Sequence, residues 1–245
     1  NDCGGHNRSY MRIAVSGAQN VGKSTLIQAI KKFWPMYESP EKTYRDVIAE
    51  KKLTINKDGT FENQKIIQDA ICDIAQECAS KTHIIHDRSI LDNAMYTFYL
   101  ADKVLSEGKT VDDDYMTDMI VITRETLKLY DIIFWLPINP NIKMDESNDN
   151  PNRSTDVQYQ QDIDTLFASV YDSYRAGEGV LFPLEDSPAM IKLEGQDLNA
   201  KIDELKLYIN PEGNLVETEQ SVFSELEQLY DEAKLLKQVK SGNNS

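Results

Sequence analysis

Residues 17–24 read Gly-Ala-Gln-Asn-Val-Gly-Lys-Ser, the pattern G-x-x-x-x-G-K-S, between an apolar run and a segment with helical periodicity. This spacing is typical of a phosphate-binding loop, in which successive backbone N–H groups surround a phosphate and the positive end of the next helix faces it. Gly17 and Gly22 permit the tight backbone. Lys23 is expected to reach the β- and γ-phosphates of ATP, and Ser24 is expected to hold Mg²⁺. The predicted nucleotide-binding residues are Gly17, Ala18, Gln19, Asn20, Val21, Gly22, Lys23, Ser24 and Thr25.

A second polar group, His86-Asp87-Arg88-Ser89, follows a short apolar run. In a parallel α/β sheet, ligands collect at the carboxyl ends of the strands. Asp87 is therefore expected beside the glycine loop, where its carboxylate can accept a hydrogen bond from a water of Mg²⁺. Arg88 is expected to face a polar or anionic acceptor. Asp and Ser are also ordinary caps of a following helix, but the Asp-Arg-Ser combination at this place favours a functional role.

Three further residues have both a chemical and a structural interpretation. Glu41 and Arg45 are one helical turn apart, so the carboxylate can take a proton from a hydroxyl while the guanidinium orients a substrate. Their spacing alone favours an exposed ion pair of small energy. Arg153 lies in the polar segment 137–154, where a mobile arginine can neutralise a transferring phosphoryl group or can simply be solvated.

Short apolar runs alternate with helical patterns along the chain. The predicted strands are 12–16, 36–38, 82–86, 131–136 and 189–193. The predicted helices are 22–33, 40–51, 61–80, 89–105, 112–130, 155–175 and 198–209. This alternation predicts an α/β chain with the three-layer P-loop NTPase fold, in which helices flank a five-stranded, mostly parallel sheet and a C-terminal helix is added.

The predicted domain limits follow from the same patterns. Residues 1–10 precede the first strand and are expected to be a disordered or non-native leader. Residues 11–209 are expected to form one nucleotide-binding domain, with a lid loop at about 137–154. Residues 210–245 are predicted to be a linker and an amphipathic helix. That helix either docks on the core, frays, or makes the protein a homo-oligomer.

Composition excludes several classes of function. The chain has 245 residues and a net charge of −15, with 26 Lys and Arg against 41 Asp and Glu. This charge argues against a broad nucleic-acid footprint, although it leaves room for a small basic cleft. Three cysteines without C-x-x-C spacing indicate neither a disulfide framework nor zinc, which favours the cytoplasm. No apolar stretch is long enough to predict a membrane span.

Three segments, in this order, resemble the AAA-type ATPase/kinase family that includes ribosylnicotinamide kinases and phage-encoded 5-hydroxymethyluridine DNA kinases. The first is the loop at 17–25. The second, at 40–48, resembles the family's Pro-Glu-x-x-Arg-Glu-hydrophobic segment, with Asp46 where Glu is commoner. The third, at 86–96, resembles its Asp-Arg-x-x-x-Asp-x-x-x-Tyr segment. The resemblance covers roughly residues 11–209.

The resemblance implies a P-loop kinase, acting in a bacterial cell or a phage-infected host, that moves the γ-phosphoryl group of ATP to a hydroxyl group. The implied acceptor is nucleoside- or nucleotide-like, with a free nucleoside, a nucleotide and 5-hydroxymethyluridine in phage DNA as candidates. It also implies that Glu41, Arg45, Asp87 and Arg88 line the acceptor pocket, with Arg153 on a lid. Lys23, Asp87, Arg153 and Glu41 are the predicted catalytic residues, with Glu41 or Asp87 orienting or deprotonating the hydroxyl.

Two other functions remain open at this stage. A regulatory P-loop ATPase would hydrolyse ATP without an acceptor, and an interaction module would bind nucleotide without turnover. A regulatory ATPase usually carries a second carboxylate after its acidic strand, whereas here Asp87 is followed by Arg88. That difference favours the kinase.

Overall fold

The computed structural model describes residues 11–55, 58–139 and 156–216. Several predictions lie outside these residues: Arg153, most of the 137–154 loop, the leader at 1–10 and the C-terminal helix. They stay predictions, as do the domain limits.

Four parallel strands form one sheet in the order β2-β1-β3-β4. The strands are β1 (Arg12–Ser16), β2 (Ile84–Asp87), β3 (Ile132–Trp135) and β4 (Ala189–Lys192). Each lies within one residue or two of its predicted place, because a near-continuous apolar run is typical of a parallel strand buried on both faces. The register places Val15 of β1 beside Asp87 of β2, so the glycine loop after β1 begins next to the polar end of β2.

The predicted strand at 36–38 is present only as a single parallel bridge between Glu38 and Ile84. The Glu38 N–H donates to the His83 carbonyl at 2.9 Å, and the Ile85 N–H donates to the Glu38 carbonyl at 2.8 Å. Pro40 follows two residues later and has no N–H with which to continue the ladder. The predicted fold class is confirmed, and the described sheet has four strands with one bridged residue at its edge instead of five.

The described helices alternate with the strands as predicted. They are α1 (Lys23–Phe33), α2 (Tyr44–Lys51), α3 (Phe61–Glu77), α4 (Ile90–Ser106), α5 (Asp113–Leu127), α6 (Val157–Arg175) and α7 (Leu198–Leu205). Helix α4 begins with a capping box in which Ser89 and Asp92 satisfy each other's backbone N–H groups.

Helix α2 begins later than predicted. Its capping residue is Thr43, whose backbone N–H and hydroxyl both donate to the Asp46 carboxylate, at 2.7 and 2.8 Å. Glu41 therefore lies in the turn before the helix. The expectation that Glu41 and Arg45 share one helical face was wrong, because the capping box overrides the Pro-Glu start signal three residues earlier.

Two apolar layers cover the sheet, so the described domain has three layers. Along β1, Ile13 and Val15 pack with α1 and α7, whereas Ala14 packs with helices α3 to α6. This alternation follows from the two-residue period of a strand. The layers pack against β1 and β2, whose carboxyl ends carry the polar residues.

Residues 210–214, predicted as the start of a linker, form a turn that is hydrogen-bonded to the core. Trp34 Nε1 donates to the Asn210 carbonyl at 2.8 Å, and the Tyr37 hydroxyl donates to the Gly213 carbonyl at 2.6 Å. In the part of the chain that the structure describes, no helix combines the length and the apolar character needed to cross a membrane.

Candidate functional site

The glycine loop has a backbone that requires glycine at its first position. Gly17 has φ of 142°, and a Cβ atom there would lie 2.5 Å from the Leu136 carbonyl oxygen. Such a distance is shorter than any tolerable contact, and φ lies in the region that favours glycine. Gly22, which caps α1, also has positive φ, at 92°. The loop is therefore held tightly against the end of β3, with its N–H groups at the start of α1.

Substituting Gly17 by alanine is expected to lower the free energy of unfolding by about 2–4 kcal/mol, through backbone strain and overpacking together. Gly108→Ala is the matched control, because Gly108 has φ of 75° but nothing within 4 Å of an added Cβ. It should lose only about 1 kcal/mol through strain alone. Urea unfolding of both variants measures the difference. Equal losses would show that the Leu136 carbonyl moves aside easily.

Lys23 is buried within the loop, with 5% of its surface exposed. Its Nζ donates to the Gly17 carbonyl at 2.8 Å and to the Ala18 carbonyl. Burial, and then the nearby Arg88 guanidinium, lower the pKa of Lys23 to about 7. A bound phosphate would place a negative charge beside this amine and so favour its protonated form.

Binding of MgATP at pH 8 is therefore expected to be accompanied by proton uptake. In the free protein the pKa of Lys23 is about 7, so much of the amine is neutral at that pH. The triphosphate favours the ammonium form and raises this pKa, which draws a proton from the buffer. Calorimetric titration in two buffers of different ionisation enthalpy measures the uptake. Lys23→Met should abolish it, and Lys128→Met, at a surface site, should not.

Asp87 lies at the point where three elements meet. Its Oδ2 accepts a hydrogen bond from Ser24 Oγ at 3.2 Å and forms an ion pair with Arg45 NH2 at 3.0 Å. Its Oδ1 is buried and has no hydrogen-bond partner among the described residues. A hydroxyl and a carboxylate oxygen are ligands that Mg²⁺ accepts, and the magnesium site at Ser24 and Asp87 stays a prediction.

Arg88 is held in one orientation by side chains from two helices. Its Nε donates to the Tyr44 hydroxyl at 2.6 Å, and its NH1 donates to the Tyr96 hydroxyl at 2.9 Å and to Asp92 Oδ1 at 3.2 Å. Its backbone has φ of 87°, which is unusual for a residue with a side chain. Three hydrogen bonds therefore fix the orientation of this largely buried guanidinium.

Asp92 connects this arginine to the glycine loop. Its Oδ1 also accepts from the Gly17 N–H at 3.2 Å, while its Oδ2 accepts from the Ser89 N–H at 2.9 Å. Sequence reasoning did not assign Asp92, Tyr44 or Tyr96 to the site. The capping pattern Ser89-x-x-Asp92 was the available signal for Asp92, because it predicts a carboxylate at the start of α4.

A cavity of about 290 Å³ opens beside these groups, between α1, the segment leading into α2, α3 and the end of β2. Ser24, Arg45, Asp87 and Arg88 line it. Glu41 is exposed and does not line it. The structure therefore brings together four of the predicted site residues from three separate segments and leaves Glu41 apart.

His86, which also lines the cavity, is buried against Tyr130 with ring centroids 5.3 Å apart. Burial, followed by the charge of Arg12, lowers the pKa of His86 to about 4. Its imidazole is thus neutral near pH 7. The ring supplies a wall of the cavity and adds no charge to it.

Comparison with known proteins agrees with this architecture. The sequence profile of the family described as AAA domain matches residues 12–177. Comparison with curated protein sequences finds no match.

Among solved structures, thymidylate kinase from Candida albicans has a TM-score of 0.56 at 14% identity, over 85% of this chain and 96% of that one. Deoxyadenosine kinase from M. mycoides, with bound dATP, has a TM-score of 0.51 at 18% identity, over 80% of this chain and 97% of that one. The NadR protein in complex with NR has a TM-score of 0.51 at 12% identity, over 81% of this chain but only 51% of that one. At these identities the likeness shows a shared P-loop kinase-like fold.

Proposed function

The chain belongs to the AAA domain family, and from this premise we propose that it is an ATP-dependent phosphotransferase. It moves the γ-phosphoryl group to a hydroxyl of a nucleoside- or nucleotide-like acceptor. The glycine loop with Lys23 binds the triphosphate, and the cavity beside it receives the acceptor. The similar structures are of a thymidylate kinase, a deoxyadenosine kinase and a protein bound to NR, which supports an acceptor of this chemical class.

The observation that carries this proposal is the position of Asp87 in the cavity, where its Oδ2 contacts both Ser24 and Arg45. Asp87 is the one carboxylate among the lining residues, beside Ser24 of the loop helix and two arginines. An acceptor hydroxyl placed there would donate to the Asp87 carboxylate, which would take its proton as the phosphoryl group is transferred. Hydrolysis alone requires no such cavity, so the site favours transfer to an acceptor over a regulatory ATPase.

The other predicted residues have distinct parts in this scheme. Ser24 and Asp87 would hold Mg²⁺, which supplies charge neutralisation to the phosphates. Lys23 would contact the β- and γ-phosphates, and Arg88, fixed by its partners, would orient the acceptor. Arg153 is proposed to stabilise the transferring group from the lid. Of the two carboxylates predicted to orient or deprotonate the hydroxyl, we propose Asp87 for this role, because it lines the cavity and Glu41 does not.

Three candidate acceptors remain within the proposal: a free nucleoside, a nucleotide, and 5-hydroxymethyluridine within phage DNA. We also propose that the protein works without a membrane partner and self-associates through the helix predicted near its C-terminus. Analytical ultracentrifugation of the full chain and of a chain ending at residue 216 tests the self-association. The full chain is expected to sediment as an oligomer and the shorter chain as a monomer.

An ADP-release assay against a panel of acceptors tests the proposed function. The expected result is ADP formation that depends on one class of acceptor and yields a phosphate monoester. Steady release of ADP without any acceptor would support the regulatory ATPase instead. Tight nucleotide binding with no turnover would support the interaction module.

A further inference from the structure

The lining of the cavity is positively charged although the chain is strongly acidic. Lys31, Lys42, Arg45 and Arg88 line it, against the single carboxylate of Asp87. In the whole chain the balance is reversed, with 26 Lys and Arg against 41 Asp and Glu. The concentration of cations in one cavity is therefore a local property of this site.

The two arginines are neutralised by the protein itself. Arg45 pairs with Asp87 at 3.0 Å, and Arg88 pairs with Asp92 at 3.2 Å. Their charges therefore attract an anionic ligand less strongly than unpaired charges would. Arg88 Nε and NH1 also donate to Tyr44, Tyr96 and Asp92, which fixes the guanidinium in place.

The two lysines are less well compensated. Lys31 Nζ donates to the Ser39 hydroxyl at 3.3 Å and has no carboxylate partner within the described ranges. Lys42 pairs with Glu50 at 2.8 Å, but both side chains are more than half exposed, so water screens the pair. Lys31 is thus an uncompensated cation on the cavity wall, and Lys42 is a weakly compensated one.

The position of Lys31 separates it from the reacting end of the site. Ser24, Gln28 and Lys31 line the cavity along one face of α1. Lys31 lies two helical turns beyond Ser24, which corresponds to about 10 Å along the helix axis. Ser24 and Asp87 mark the end where the phosphoryl group is transferred, so Lys31 marks the far end.

We propose that Lys31 and Lys42 form an anion subsite that binds a phosphate ester carried by the acceptor, at the end remote from its reacting hydroxyl. This inference rests on the proposed function, because it assigns the cavity to the acceptor. It selects nucleotides, free or within a DNA strand, over neutral nucleosides. Lys31 Nζ contacts Ser39, three residues before Lys42, and charge-assisted hydrogen bonds from ammonium groups suit the several oxygens of a phosphate.

Equilibrium binding tests the subsite without requiring turnover. Isothermal titration of the full chain would use deoxynucleosides, their 5′-monophosphates and short single-stranded oligonucleotides, with 5-hydroxymethyluracil among the bases. The variants are Lys31→Gln/Lys42→Gln and a control, Lys109→Gln/Lys128→Gln. The control changes the net charge equally, at surface lysines that pair with Glu107 and Glu125.

Phosphate-bearing ligands are expected to bind about tenfold more tightly than the matching nucleosides, and the advantage should shrink as NaCl is raised. The Lys31/Lys42 variant should lose the advantage, and the control should keep it. Tighter binding of the oligonucleotides than of the monophosphates would indicate a DNA acceptor, and the reverse a free nucleotide.

Equal binding of nucleosides and phosphates, or an advantage that survives in the Lys31/Lys42 variant, would overturn the subsite. Failure of the kinase proposal has a different signature. Phosphate-dependent binding that needs Lys31 and Lys42, but without acceptor-dependent ADP release, would leave the subsite standing and reject phosphoryl transfer.

Discussion

Lys23→Ala is expected to reduce phosphoryl transfer by about 10²–10³-fold or more, the loss typical of removing one preorganised donor to a developing charge. Lys23 is the buried cation of the glycine loop, and its Nζ rests on the Gly17 and Ala18 carbonyls. In the nucleotide complex those contacts would be exchanged for phosphate oxygens. Acceptor-dependent ADP release at saturating MgATP measures the effect.

The same substitution is expected to leave the protein folded. Burial lowers the pKa of Lys23 to about 7, so the ammonium group is not favoured by its surroundings in the free protein. Removing it should therefore not reduce the thermal unfolding temperature at pH 7, and can raise it. Lys128→Ala, at an exposed pair with Glu125, is the matched control and should retain full activity. Unchanged activity of Lys23→Ala would reject the whole scheme.

Asp87→Asn is expected to lower the transfer rate by about 10²-fold, in the range found for the loss of a catalytic base. The substitution preserves shape but removes the negative charge from the Oδ2 that contacts both Ser24 and Arg45. The amide also cannot take the proton of the acceptor hydroxyl, as the carboxylate would. A higher Mg²⁺ concentration for half-maximal rate is expected as well, because the site loses an anionic ligand.

Asp131→Asn is the control for this experiment. Asp131 accepts hydrogen bonds from the backbone and the side chain of Arg12, at 2.7 to 3.0 Å, just before β3 begins. That is the opposite end of the sheet from the glycine loop. The variant should lose stability, as urea unfolding would show, but should keep its rate. A similar loss of rate in both variants would mean that Asp87 acts only through folding.

Local signals predicted much of the architecture. The limits of β1 were predicted to the residue, and α1 was placed within one residue, because an apolar run followed by the glycine motif is a local pattern with few alternatives. The errors also have local causes. Pro40 ends the edge strand at a single bridge, and the Thr43–Asp46 capping box delays α2, which separates Glu41 from Arg45.

The sequence by itself determined the phosphate-binding loop, because all of its residues are contiguous and its geometry depends on their own backbone preferences. Only the tertiary structure decided which side chains meet beside it. Ser24 and Asp87 are 63 positions apart and touch because the sheet places β2 next to β1. Arg88 is fixed by Tyr44 and Tyr96 from different helices. Such contacts depend on strand order and helix packing, which no single segment of the chain encodes.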